Sequence, residues 1–341
     1  MWGKKKRCGS GPSTVLDSMQ IEVTSRCSLR CVMCPNLSLP GWEFREMKFE
    51  TFKRIGEHFH LAKLIYLQGW GEPLLHKRIF DMVKLSKDAG CMAGFTTNGM
   101  LLSQETSERL IELGLDIIVV SIAGSTRGTH EGIRAGSDFE KITGNVRTLL
   151  ELKKKKNAAH PRVNLSFLMT RRNIGELPEA IEMANELGVS EVVATNLDCI
   201  QSLSQDRLRV FSCEEADEEF EKIIGEAKKK AKGCGIVFRP YPLMMEELVM
   251  CELNPLGQVF VSCEGLVSPC NYINFPMRGP IPRMFCGEES SIERTYFGDI
   301  SKEAFPEIWK KPKYQEFRHS YEKRKLARDR IFGGLDLDAD P

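Results

Sequence analysis

The sequence lacks the features of membrane, secreted and nucleic-acid-binding proteins. None of its apolar runs approaches the roughly 18 to 20 residues of a transmembrane helix, and the basic stretch 1–7 is not followed by the apolar core of a signal peptide. Its 48 Lys and Arg residues against 47 Asp and Glu residues leave a net charge of +1, which argues against nucleic acid or an anionic membrane as a partner. We therefore expect a cytoplasmic protein.

Known catalytic signatures are also absent. The chain contains no P-loop, no H-E-x-x-H zinc motif, no G-x-S-x-G elbow and no complete G-x-G-x-x-G. The 12 cysteines are the unusual part of the composition. In a chain of 341 residues they are nevertheless too few for a disulfide-stapled mini-protein. In a reducing compartment, clustered cysteines indicate metal binding or redox chemistry, so their spacing has to decide.

Short β-branched runs alternate with amphipathic segments over residues 17–197, which predicts an α/β fold with a parallel sheet. Strands are predicted at 19–24, 63–68, 94–97, 117–122, 163–169 and 191–195. Helices are predicted between them at 49–60, 78–88, 103–113, 139–155 and 177–187. Because eight such units close a TIM barrel, six units predict a partial (β/α)6 TIM-like barrel.

The pattern changes after residue 195. A charged helix is predicted over 214–232 and a strand over 235–239, and the chain then becomes rich in Cys, Pro and Gly, with one hairpin that turns at Glu264 and Gly265. A bound metal is expected to stabilise this core-poor segment. We therefore divide the chain into an N-terminal segment 1–16, a barrel 17–240, a small Cys-rich domain 241–322 and a charged, mobile tail 323–341.

Cys27, Cys31 and Cys34 form a C-x3-C-x2-C motif in the loop after the first predicted strand, at the end of a barrel where such folds place their chemistry. Three thiolates would hold a 4Fe-4S cluster and leave one iron open to a small molecule. The alternatives are a structural zinc site and three unrelated thiols. Zinc prefers a fourth protein ligand, yet no Cys or His lies between Cys34 and His58.

This motif, in this position, resembles the signature of the radical S-adenosylmethionine (SAM) superfamily. Four further stretches follow in the order of that family: Gly-Trp-Gly-Glu-Pro at 69–73, similar to its GGEP element, Thr-Thr-Asn-Gly at 96–99, Val-Ser-Ile-Ala-Gly at 120–124 and His-Glu-Gly-Ile-Arg at 130–134. The chain departs from the family at Met33, where an aromatic residue is usual, and at Ala123, where Asp is common.

The resemblance implies a site and a chemistry. The cysteine triad would hold a 4Fe-4S cluster that reductively cleaves SAM, and the resulting 5'-deoxyadenosyl radical would abstract a hydrogen from a substrate over the barrel mouth. Arg134 would pair with the SAM carboxylate. An electron donor such as ferredoxin or flavodoxin is implied as a partner. The implied SAM-binding residues are Gly69, Gly71, Glu72, Asn98, Ser121 and Arg134.

A second group of cysteines lies in the C-terminal segment. The spacing of Cys251, Gly265 and Cys270 resembles that of SPASM and shorter twitch domains, although the later cysteines of a full SPASM domain are missing. The resemblance implies one auxiliary 4Fe-4S cluster for electron transfer, with ligands from Cys251, Cys263, Cys270 and Cys286. A zinc-stabilised hairpin is the alternative. No task is assigned to the cysteines at 91, 199 and 213, which lie in apolar or helical contexts.

The sequence leaves the substrate open. The stretch 68–76 and the overall layout are similar to maturases of tungsten-cofactor oxidoreductases, so the first interpretation is a maturase of a peptide, protein or cofactor. The second is a small-molecule dehydrogenase, which the missing second auxiliary cluster favours. A non-enzymatic iron-sulfur carrier or zinc-structured binding module is a third interpretation, and it requires neither the SAM motifs nor the barrel.

Overall fold

The computed structural model describes residues 16–245, 250, 251 and 253–332, with side chains up to residue 326. All but the last residue of the predicted N-terminal segment 1–16 therefore lies outside the described residues, as does the end of the predicted tail. Within the described part, no helix is long and apolar enough to cross a membrane.

The described elements alternate strand and helix through most of the chain. The strands are β1 Leu16–Ile21, β2 Arg30–Cys31, β3 Ala62–Tyr66, β4 Met92–Thr97, β5 Ile117–Ile122, β6 Arg134–Ala135, β7 Arg162–Met169, β8 Glu191–Asn196, β9 Val237–Pro240, β10 Gln258–Val261, β11 Leu266–Ser268, β12 Ile281–Phe285, β13 Glu288–Ile292 and β14 Gly298–Asp299. The helices are α1 Pro35–Ser38, α2 Phe49–Gly56, α3 Ile79–Asp88, α4 Gln104–Glu112, α5 Arg127–Ile133, α6 Phe139–Lys155, α7 Leu177–Leu187, α8 Leu203–Asp206, α9 Glu218–Cys234, α10 Phe305–Trp309 and α11 Pro312–Phe332.

Ten strands form one sheet in the order β14-β11-β10-β1-β3-β4-β5-β7-β8-β9. All neighbours from β10 to β9 are parallel, and the helices provide the crossover connections that parallel strands need. Among the described strands, β9 pairs with β8 alone, so the barrel stays open. The predicted partial TIM-like barrel is confirmed.

The six predicted barrel strands and the helices between them all occur, and β5, α6 and α7 have the predicted bounds. In helix α6 the apolar periodicity of the sequence predicted the helix correctly, because Ile142, Val146 and Leu149 are buried at the spacing of one helix face. Helix α7 ends at Gly188, whose φ of 81° is left-handed and suits a residue without a Cβ.

The sheet extends beyond the six predicted strands at both edges. The predicted strand 235–239 appears as β9 and pairs parallel with β8. Strand β10, predicted as one arm of a hairpin, pairs antiparallel with β11 and also parallel with β1, where Ser18 lies opposite Gln258. The sheet therefore runs without a break from the predicted barrel into the predicted Cys-rich domain.

The C-terminal segment adds a hairpin and two helices. Strands β12 and β13 form the hairpin, which was not predicted, and a disulfide between Cys286 at its turn and Cys213 ties it to the loop before α9. Pro312 is the first residue of α11, a position where proline is favoured because its missing N–H is not needed. Helix α11 continues to Phe332, into the segment that was predicted to be a mobile tail.

Candidate active site at the barrel mouth

A cavity of about 300 Å³ opens at the carboxyl ends of the barrel strands. Loops after successive strands form its inner wall, and the C-terminal segment closes its outer side through Asn271 and Tyr272. The structure brings together in this one cavity all nine residues predicted for the cluster and SAM, namely Cys27, Cys31, Cys34, Gly69, Gly71, Glu72, Asn98, Ser121 and Arg134.

The cysteine triad lies in the loop after β1. Its middle member, Cys31, belongs to β2, which pairs with β6 so that Cys31 lies opposite Arg134. Burial raises the pKa of Cys27 and raises that of Cys34 to about 12, so both are neutral thiols at pH 7 unless a metal displaces their protons. Three thiols on the wall of one cavity, one buried and two half-buried, fit three irons of a 4Fe-4S cluster.

The Gly-Trp-Gly-Glu-Pro stretch is held close to the cysteine loop by its two glycines. A Cβ at Gly69 would overlap the side chain of Glu22, and a Cβ at Gly71 would overlap the backbone of Thr24 and Arg26. No larger residue fits at either position without a shift of the neighbouring chain. The structure thus gives these glycines a packing role, and their contact with SAM stays a prediction.

Glu72 is 2% exposed, and the chain itself satisfies its carboxylate. The carboxylate accepts hydrogen bonds from the Leu74 amide at 3.1 Å, the Thr97 hydroxyl at 2.7 Å and the Asn98 amide at 2.7 Å. Burial raises the pKa of Glu72, while these hydrogen bonds oppose the rise. The geometry therefore shows Glu72 as a positioning residue for Asn98, and its predicted contact with the SAM ammonium stays a prediction.

Arg134 differs from Glu72 because the chain leaves part of its side chain unsatisfied. Its Nε is buried and has no hydrogen-bond partner, and its Nη1 lies 4.0 Å from the Sγ of Cys31. A buried guanidinium donor on a cavity wall calls for an anionic acceptor. Arg134 thus fits the carboxylate of SAM, beside the cysteines that fit the cluster.

Glu22 was not predicted from the sequence, although it connects the Gly-rich loop at Trp70 with the C-terminal segment at Cys263. Its Oε1 accepts a hydrogen bond from the Trp70 amide at 3.0 Å, and its Oε2 accepts one from the Cys263 amide at 3.2 Å. Glu22 is fully buried, and burial raises its pKa. The available signal was an acidic residue between the buried Ile21 and Val23, where a solvated side chain is not expected.

The outer wall of the cavity was also missed. It comes from the ends of β7 and β8 and from the C-terminal segment, where the Tyr272 hydroxyl lies 3.2 Å from both carboxylate oxygens of Asp198. These residues could have been found from their place in the sequence, because residues at the carboxyl ends of the predicted strands 163–169 and 191–195 lie at the barrel mouth. The missed wall residues include Ser166, Thr195, Asn196, Asp198, Cys199 and Tyr272.

The four predicted auxiliary ligands differ in their surroundings. Burial raises the pKa of Cys270, and Cys251 adds a smaller electrostatic contribution in the same direction, so these two thiols are close enough to interact. Cys263 instead lies beside Glu22. Cys286 is joined to Cys213 in a disulfide, which argues against a thiolate role for Cys286. The turn between β12 and β13 places Cys286 against the loop before α9.

Two neighbouring thiols supply half of the ligands that an all-cysteine 4Fe-4S cluster takes. In the described ranges, no three Cys, His, Asp or Glu side chains are already arranged as a metal site. The auxiliary ligand set therefore stays a prediction, and no catalytic step is assigned to it.

Two family models match the chain at these two cysteine groups. The model described as the radical SAM superfamily matches residues 21–184, and the SPASM model, described as an iron-sulfur cluster-binding domain, matches residues 251–329. The chain belongs to the radical SAM superfamily. It is a radical SAM enzyme whose cofactors are SAM and a 4Fe-4S cluster, with an auxiliary iron-sulfur cluster implied by its SPASM domain.

Known proteins resemble this radical SAM chain over most of its length. It is 29% identical to the tungsten-containing aldehyde ferredoxin oxidoreductase cofactor-modifying protein of Pyrococcus furiosus, over 88% of this chain and 82% of that protein. It is 27% identical to the AdoMet-dependent heme synthase of Methanosarcina barkeri, over 84% and 80%. The structure of Streptococcus suis SuiB bound to precursor peptide SuiA shares the fold, with a TM-score of 0.65 at 13% identity, over 89% and 67%.

Proposed function

We propose that this radical SAM enzyme is a maturase that modifies a cofactor or a peptide. The observation that carries the proposal is the single cavity in which the cysteine triad and the unsatisfied Nε of Arg134 lie together. The similarity to a cofactor-modifying protein and to a heme synthase supports a cofactor as substrate. The similarity to the PqqA peptide cyclase of Bradyrhizobium diazoefficiens, 24% identical over 62% of this chain and 55% of that protein, supports a peptide.

When bound, the cluster and SAM supply reductive cleavage of SAM and the radical that abstracts a substrate hydrogen. The chain binds and orients these groups. Cys27, Cys31 and Cys34 hold the cluster, and Arg134 pairs with the SAM carboxylate. Glu72 fixes the loop after β4 through its hydrogen bond to the Asn98 amide. An external one-electron donor of the ferredoxin or flavodoxin class provides the electron.

Aromatic side chains exclude water on the outer side of the cavity. Trp70 packs edge-on against Phe275, with ring centroids 4.4 Å apart, and against Tyr272 at 5.9 Å. Phe275 is fully buried. This apolar cover between the barrel and the C-terminal segment shields a reactive substrate from solvent, as radical chemistry requires.

The triad variant tests the proposed function. Replacing Cys27, Cys31 and Cys34 together with Ala removes the three cluster ligands, so we expect 5'-deoxyadenosine formation from SAM and dithionite to fall to the protein-free background. The protein is reconstituted anaerobically, and the product is measured by chromatography and mass spectrometry. Cys234→Ala, at the end of α9 and outside the cavity lining, is the control and keeps full activity. Undiminished 5'-deoxyadenosine in the triad variant would falsify the proposal.

A small-molecule dehydrogenase is the second candidate, because the sequence lacks the later cysteines of a full SPASM domain. The two candidates differ in the mass of the product. A dehydrogenase removes two hydrogens from a small molecule, whereas a maturase gives a rearranged, cross-linked or cleaved product. Untargeted mass spectrometry of cell extract incubated with the reconstituted enzyme and SAM separates them.

A further inference from the structure

Cys199 is a thiol on the wall of the cavity that holds the cysteine triad. It follows the end of β8, it is 7% exposed, and it lines the same cavity as the cysteine loop. The sequence assigned it no task. It is the one thiol among the cavity-lining residues that the described structure shows apart from Cys27, Cys31 and Cys34.

The surroundings of Cys199 are unusual for an inert buried thiol. Arg283 of β12 donates a hydrogen bond from Nη1 to the sulfur at 2.9 Å, and Gln201 donates one from Nε2 at 3.2 Å. Arg283 also donates to the Tyr272 carbonyl and lies over the Phe275 ring at 5.2 Å. Both of these further partners of Arg283 are neutral. The Asp198 carboxylate also acts on Cys199 and opposes a negative charge on its sulfur, whereas Arg283 favours one.

Two physical properties follow for this thiol. Burial raises the pKa of Cys199 to about 12, although Arg283 opposes the rise, so the sulfur carries its hydrogen at neutral pH. A thiol S–H bond is weaker than most C–H bonds, so a carbon radical within reach takes its hydrogen. Should the sulfur later gain an electron, the guanidinium beside it stabilises the thiolate that forms.

We propose that Cys199 is a catalytic residue that gives a hydrogen atom to the substrate radical in this cavity. The proposal rests on the proposed radical SAM function. The S–H bond of Cys199 breaks homolytically while a C–H bond forms on the substrate carbon, which leaves a thiyl radical on Cys199. One electron from the ferredoxin- or flavodoxin-class donor reduces the thiyl to a thiolate beside Arg283, and a proton from solvent restores the thiol.

This role narrows the class of reaction. The substrate loses one hydrogen in the first step and regains one from Cys199 in the last, so the substrate is rearranged, cyclised or cleaved without a net loss of two hydrogens. That balance favours the maturase over the dehydrogenase. The returned hydrogen exchanges with solvent while it is on sulfur, so it marks the product when the reaction runs in D2O.

An isotope experiment tests the proposal without a known substrate, with SAM as the probe. When the reconstituted enzyme cleaves SAM in D2O with dithionite and no substrate, the S–D group of Cys199 labels the 5'-deoxyadenosine. In Cys199→Ser we expect the monodeuterated fraction of the 5'-deoxyadenosine that forms to fall several-fold, because an O–D bond is too strong to donate. Cys234→Ser, on α9, is the matched control and keeps the wild-type fraction. Cys199→Ala is the second variant if the serine variant loses iron.

Thiol labelling gives a second measurement on the unaltered protein. We expect S-adenosylhomocysteine to slow the modification of Cys199 by methyl methanethiosulfonate several-fold, and to leave Cys234 unchanged, as mapped by peptide mass spectrometry. An unchanged deuterium fraction in both Cys199 variants, or equal labelling rates with and without S-adenosylhomocysteine, overturns the role of Cys199. Failure of the wild type to form 5'-deoxyadenosine overturns the proposed function instead, so the two failures are distinguishable.

Discussion

Arg134 and Glu72, two charged side chains of the same cavity, differ in what the chain leaves unsatisfied. The carboxylate of Glu72 receives three hydrogen bonds from the chain, whereas the buried Nε of Arg134 receives no partner. A buried polar group that is satisfied stabilises its surroundings, and one that is not satisfied indicates a missing ligand. The sequence named both residues but could not separate these roles, because the partners come from other loops.

Arg134→Met removes the guanidinium and keeps much of the side-chain volume. A hydrogen bond to a charged group is worth about 1.5 to 3 kcal/mol, so we expect the dissociation constant of SAM to rise about ten- to a hundredfold. Anaerobic equilibrium dialysis of the reconstituted protein measures it, after iron analysis has shown that the cluster is retained beside Cys31.

Arg127→Met is the matched control for this substitution. Arg127 is the first residue of α5, the helix that ends just before Arg134, but its side chain is 65% exposed and pairs with Glu131. SAM affinity should be unchanged in this variant. Equal dissociation constants in the Arg134 variant and the wild type would remove the carboxylate-binding role.

At the scale of elements, Glu176 fixes the start of α5, the helix that leads to Arg134. Its carboxylate accepts hydrogen bonds from the Ser125 amide at 2.7 Å, the Thr126 amide at 3.1 Å and the hydroxyls of Ser125, Thr126 and Thr129. Glu176 lies immediately before α7, so it links two barrel helices across the mouth. The sequence did not single it out, because both segments read as ordinary loops.

Glu176→Gln tests this link through its pH dependence. Burial raises the pKa of Glu176, but the hydrogen bonds, led by the one from Thr129, outweigh it and lower the pKa below the ordinary value of 4.5. The stabilisation is therefore complete above pH 4.5 and is lost as the pH falls through the lowered pKa. We expect Gln to reduce the free energy of unfolding by about 1 kcal/mol at pH 7, after allowance for solvent screening, and the difference to shrink at lower pH.

Urea denaturation at pH 7 and at pH 4 measures this difference. The control is Glu186→Gln, an exposed substitution on the same helix α7, which should match the wild type at both pH values. A Glu176→Gln deficit that is constant with pH would show that the ionised carboxylate is not the stabilising group.

Local pattern predicted the elements better than it predicted their partners. Strand β5 and helices α6 and α7 have the predicted bounds because periodicity is a local property of the chain. The pairing of β10 with β1 joins Ser18 to Gln258, and no local pattern encodes a contact between residues so far apart. The hairpin of β12 and β13 was missed for a related reason, since β13 is exposed throughout and carries no apolar alternation.

At the scale of the whole molecule, the C-terminal segment is part of the barrel site. Strand β10 extends the barrel sheet next to β1. Glu22, just after β1, accepts a hydrogen bond from the Cys263 amide in the turn between β10 and β11. From the same segment, Tyr272 lines the cavity and Arg283 donates a hydrogen bond to the wall residue Cys199. The sequence predicted two cysteine groups in two domains, but tertiary pairing decides which thiols meet.

The arrangement of the C-terminal cysteines predicts unequal effects on iron content. Two 4Fe-4S clusters correspond to about eight irons per chain, and we expect Cys251→Ala/Cys270→Ala to retain about four. Cys286→Ala should retain all of them, because Cys286 is bonded to Cys213, and should instead lower the free energy of unfolding by about 2 to 4 kcal/mol under oxidising conditions.

Iron, sulfide and zinc analysis of the reconstituted variants measures the first effect, and denaturation with and without reductant measures the second. Cys263→Ser is the matched control in the same segment and should keep its iron, because Cys263 contacts Glu22 and Arg45 of the barrel. Loss of half the iron in Cys286→Ala would return Cys286 to the auxiliary site and contradict the disulfide. A stoichiometric zinc that disappears only in the Cys251/Cys270 variant would instead assign these two thiols to a structural zinc site, because zinc takes thiolates without an open coordination position.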